Sequence, residues 1–74
     1  MNKAILISRC YKNEYRLVTF KFVGYLVGIK IKALKLKYTD RTYIKNEYYK
    51  VLFIIEKIEK NVVYGQVIKS EIIN

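Results

Sequence analysis

Apolar and aromatic residues in this chain fall into five runs of strand length: Lys3 to Cys10, Glu14 to Phe22, Tyr25 to Tyr38, Glu47 to Lys57 and Asn61 to Ile72. Val, Ile, Tyr, Phe and Thr dominate them, the residues that fit a pleated, half-buried surface. The joints are Tyr11-Lys12-Asn13, Val23-Gly24, Thr39-Asp40-Arg41-Thr42 and a turn near Glu59-Lys60, most carrying Asn, Asp or Gly. Joints this short leave neighbouring strands antiparallel. Five short strands in 74 residues must close on themselves or find a partner to hide their edges. The expected fold is therefore all-β, a single domain over residues 1–74 forming a small five-stranded antiparallel barrel, SH3-like first and OB-like second. An OB-type barrel would have to fit its usual helix into Asp40 to Tyr49, which is short and rich in Tyr.

One segment reads two ways. Tyr48, Val51, Leu52, Ile55 and Ile58 follow helical spacing, but a helix would leave Phe53 and Ile54 on its wet side. A faint repeat favours a strand: Lys12-Asn13-Glu14-Tyr15 precedes Val18 and Phe20 as Lys45-Asn46-Glu47-Tyr48 precedes Val51 and Phe53. Each copy reads as a turn followed by a strand with Val and Phe on one face.

Lysine alternates with apolar residues through Lys30-Ile31-Lys32 and Lys35-Leu36-Lys37, and the alternation slips by one at Ala33-Leu34. In a regular strand the two lysine pairs would point to opposite faces. A β-bulge at Ala33-Leu34 would restore the phase. All four ammonium groups would then share one face, about 6.6 Å apart within each pair, with Ile29, Ile31, Leu34 and Leu36 turned inward. Such a row can follow a phosphate backbone, and it also discourages edge-to-edge aggregation. Lys21 is expected on the neighbouring strand facing the same side, with Arg41 and Lys45 extending the charge past the Thr39–Thr42 turn.

Fifteen Lys and Arg against six Asp and Glu give a net charge of +9, which attracts nucleic acid, anionic lipid or an acidic protein. Part of this excess has a second source. Ile, Lys, Asn, Tyr and Phe fill 39 of 74 positions, and A/T-rich codons specify them, as in a low-GC host or a virus or plasmid it carries. Twelve of the fifteen cations are lysine, whereas bidentate reading of guanine edges favours arginine. DNA or RNA would be held by its backbone.

Catalysis finds little support. The chain has no His, one Asp and no Gly-rich phosphate loop. Cys10 has no activating histidine and reads as a small core residue. Glu56 and Glu59, beside Lys57 and Lys60, read as a solvated turn. No cofactor or metal is expected, and no enzyme activity. A single Cys and the absence of a long apolar run imply a soluble cytoplasmic protein without a membrane span.

Eight tyrosines complete the pattern, with Tyr38, Tyr43, Tyr48 and Tyr49 about one loop and Tyr11 and Tyr15 about another. Exposed aromatics among cations stack bases in single-strand binders, and elsewhere they simply fill barrel rims. The expected function is a non-catalytic nucleic-acid-binding module. Its candidate residues are Lys21, Lys30, Lys32, Lys35, Lys37 and Arg41 for phosphates, with Tyr38 and Tyr43 for bases. The alternative is a protein-interaction module that docks on an acidic partner or forms a homo-oligomer through a strand edge.

Overall fold

The alternation of branched and polar residues is realised as five strands in a computed structural model that describes residues 2–73. They are β1 (Asn2–Glu14), β2 (Leu17–Leu26), β3 (Ile29–Lys37), β4 (Tyr48–Glu59) and β5 (Val62–Ile73). The segment with helical spacing is strand β4. Val18 and Phe20 on β2 and Val51 and Phe53 on β4 all point into the core, as the repeat predicts.

The strands close into a barrel in the order β1-β2-β3-β5-β4, with β4 pairing back onto β1. Strands joined by two-residue turns are antiparallel. β3 and β4 are not paired; residues 38–47 carry the chain across to β4 without forming a helix, so that β5 returns parallel to β3 from Ala33 opposite Val62 to Lys37 opposite Gln66. The closed five-stranded barrel is consistent with either small type expected, SH3-like or OB-like, and the β3–β5 pair departs from the antiparallel expectation because the 38–47 connection is a crossover and not a hairpin turn.

Two of the turns differ from the sequence expectation. Tyr11-Lys12-Asn13 is not a joint: Tyr11 is a bulge inside β1, and the chain reverses at Tyr15-Arg16, where Arg16 has φ 61°. Val23-Gly24 lies within β2, and a Cβ at Gly24 would come within 2.7 Å of the tip of the Phe22 ring, which would have to shift. The reversal falls instead at Val27-Gly28, with φ of 43° and 78°, splitting the expected Tyr25–Tyr38 strand in two. Such paired positive φ values match the right-handed twist of a tight hairpin.

The lysine phase is restored, though not by a bulge at Ala33-Leu34. The extra residue belongs to β2, where Phe22-Val23 lie between the partners of Ala33 and Ile31. Opposite that irregularity, Lys32 and Ala33 both turn away from the core, while Ile31, Leu34 and Leu36 are buried. Ile29, expected inward, is 42% exposed at the hairpin tip.

Phe20, Phe53, Ile31, Leu34, Leu36, Val18, Val51 and Val63 fill the barrel. Tyr43 closes one end, its ring edge-on to Phe20 at 5.5 Å and to Tyr49 at 5.0 Å, contacts that contribute about 0.5–1.5 kcal/mol each beyond area burial. The connection that delivers Tyr43 is tied down by the amide of Asn46 donating to the carbonyl of Cys10 and the amide of Cys10 donating to that of Glu47.

Candidate nucleic-acid interface

Closure of the barrel turns about one side chain in two outward; on β3 the outward positions include four lysines, and on β2 Lys21 is the one cation beside the exposed Leu17, Val23 and Tyr25. Lys21, Lys30, Lys32, Lys35 and Lys37 are all exposed. Along β3 the span from Lys30 to Lys37 is about 23 Å at the ordinary rise per residue. Cross-strand pairing sets their company. Lys35 lies between Thr19 of β2 and Tyr64 of β5, and Lys37 between Leu17 and Gln66. Lys21 pairs with Arg9 of β1, and its ammonium sits 4.4 Å from the centre of the Tyr11 ring. A second cation, Lys57, lies 4.9 Å from the Tyr64 ring.

Charge on this face is only partly neutralised. Lys37 reaches Glu56 at 3.3 Å, and Gln66 donates to the other oxygen of the same carboxylate at 2.9 Å. The Gln66 hydrogen bond and, after it, the Lys37 ammonium hold the Glu56 carboxyl below its ordinary range. Lys12 pairs with Glu14 at 2.9 Å on the adjoining edge. Among the described residues, Lys21, Lys30, Lys32 and Lys35 make no ion pair, so their charge is available to a ligand.

The tyrosines sort differently from the sequence expectation. Tyr43 is 3% exposed, its hydroxyl 2.8 Å from that of Ser70 and its carbonyl accepting from Asn13, so it has no ring face to offer a base. Burial pushes its phenol above the ordinary value. It is a core residue. Tyr38 is half-buried, with its hydroxyl donating to Asn13 and its ring edge-on to Tyr43 at 5.2 Å. Arg41 is exposed on the connection after Tyr38 and lines a crevice of about 240 Å³ with Asp40, Lys69 and Ser70.

Tyr25 is the residue that sequence reasoning passed over. It is 70% exposed and stands directly opposite Lys30, on the same face of the β2–β3 hairpin. Its signal lay in the turn: with the reversal at Val27-Gly28 rather than Val23-Gly24, the pairing of Tyr25 with Lys30 follows by counting. Tyr11, 45% exposed beneath Lys21, was hidden by the same kind of misplaced joint.

Among the described residues no group of three or more His, Cys, Asp or Glu could hold a metal ion, and no helix is long and apolar enough to cross a membrane. No protein-family model matches the chain, and neither a curated protein nor a solved structure matches it.

Proposed function

We propose that the protein is a non-catalytic nucleic-acid-binding barrel that holds a phosphate backbone along the outer face of β2 and β3. One observation carries this reading: Lys30, Lys32, Lys35 and Lys37 are exposed together along one strand while Ile31, Leu34 and Leu36 of that strand are buried. Tyr25 beside Lys30 and Tyr11 beneath Lys21 supply aromatic faces among the cations, the combination by which single-strand binders stack bases at about 1–3 kcal/mol each. A single strand suits this surface better than a duplex, because stacking needs unpaired bases.

A salt titration of binding to a fluorescent single-stranded oligonucleotide tests it. Four cations without acidic partners, Lys21, Lys30, Lys32 and Lys35, should give a slope of log K against log salt near about −2.8, at roughly 0.7 per phosphate neutralised. Tyr25→Ala should weaken binding about fivefold or more while leaving that slope unchanged, since a lost stack carries no counterion. A slope near zero, or no binding at low salt to any DNA or RNA, would overturn the proposal.

A further inference from the structure

The outer wall of the barrel is not uniform. Where β3 presents lysines, the seam between β1 and β4 on the far side of the barrel presents aliphatic side chains. Ile5 and Ile7 of β1 point outward and are 57% and 60% exposed. Leu52 lies directly opposite Ile5, and Ile54, two residues on along β4, faces the same way. A shallow crevice of about 250 Å³ opens among Ile5, Leu52, Lys50 and Lys69, with Ser70 and Glu71 completing its lining. Ile5 and Ile7 are exposed and Leu52 and Ile54 half-buried, and adjoining apolar side chains on an outer wall mark interaction surfaces where single scattered ones do not.

The surrounding charge says what can cover them. Lys3 stands opposite Ile54, Lys69 opposite Leu52 and Lys50 opposite Ile7; the one acid of this border, Glu71, stands opposite Lys50. A second copy laid face to face would bring these lysines against their own counterparts in a chain of charge +9, which like-charge repulsion disfavours. A partner carrying carboxylates around an apolar stripe meets every requirement. A helix of that kind lies flat on a sheet face and buries one stripe.

We propose that the β1–β4 outer wall docks an acidic amphipathic helix of a protein partner, with an aliphatic side chain of the helix in the crevice between Ile5 and Leu52 and its carboxylates on Lys50 and Lys69. The site is separate from the lysine face of β3 and does not depend on what that face binds.

The test titrates the full chain, ¹⁵N-labelled, with a synthetic 15-residue helical peptide bearing leucines on one face and glutamates on the other. Amide signals of Ile5, Ile7, Leu52 and Lys69 should shift and saturate, and a peptide with serine in place of every leucine should not shift them. Ile5→Ser/Ile7→Ser should weaken the peptide at least tenfold without altering the melt, both side chains being exposed. Lys50→Glu/Lys69→Glu, which removes no apolar contact, should do the same. Shifts confined to Lys30–Lys37, or equal effects from the serine peptide, would mean attraction by net charge alone and would overturn the proposal. So would a dimer seen by sedimentation without peptide and lost in the isoleucine variant, which would assign the wall to a second copy.

Discussion

Individual residues in this barrel are held in states that only their surroundings explain. Val27 sits at φ 43° in the β2–β3 turn, a left-handed conformation that costs a side chain with Cβ about 1–2 kcal/mol and suits Asn or Gly far better. Val27 is also 60% exposed, so nothing in the core depends on it. Val27→Asn should therefore stabilise the fold by about 1 kcal/mol, raising the melting temperature by about 4–8 °C for a domain of this size. A thermal melt checks it. Tyr43 and Cys10 are held protonated by burial, each with its pKa raised in the folded state above ordinary values of 10.0 and 9.0. In the folded chain these groups keep protons that the unfolded chain releases, so their contribution is complete below about pH 8 and is lost as pH rises through 9 and 10. Urea unfolding at pH 7, 9 and 10.5 should show stability falling with pH. Cys10→Ala should reduce the fall, most clearly near pH 9.

At the level of elements, β3 beyond the exposed Ile29 at its tip divides into a side that holds the fold and a side that faces water. Leu34 is 1% exposed and Leu36 fully buried, so Leu34→Ala should cost about 2–5 kcal/mol through lost transfer and a residual cavity. The quadruple replacement of Lys30, Lys32, Lys35 and Lys37 by Ala should change stability by less than about 0.5 kcal/mol per site and remove most of the salt dependence of oligonucleotide binding. Lys37 adds a refinement, because Glu56 holds its ammonium at 3.3 Å. Glu56→Gln should free that charge and steepen the single-strand slope by about 0.7. The buried and wet sides of this strand were legible in its sequence. Where the compensating bulge would fall was not, because the extra residue is on β2 and a strand's own residues do not record what its neighbour inserts.

For the molecule as a whole, closure rests on pairings distant in sequence. Asn2 lies opposite Ile55, and Ala33 pairs in parallel with Val62. Such contacts are slow to form because the chain between them must be closed before they contribute. Refolding should take milliseconds to seconds, and with no proline in the chain it should lack the phase of tens of seconds that prolyl isomerisation introduces. Stopped-flow refolding followed by tyrosine fluorescence should show a single exponential.

What the sequence by itself determined is what successive residues decide among themselves: five strands, the inward set Val18, Phe20, Val51 and Phe53, and the outward lysines of β3. Side-chain alternation is a local property of the chain, and burial selects its phase. The tertiary structure alone decided which strands are neighbours beyond the hairpins, β1 with β4 and β3 with β5. That order places β5 beside β3, sends Tyr43 into the core at the end of the 38–47 connection, and pairs Tyr25 with Lys30. It also gathers Ile5, Ile7, Leu52 and Ile54, harmless as separate residues in two strands, into one wall, because adjacency across a sheet is set by closing the barrel and not by the spacing of residues along the chain.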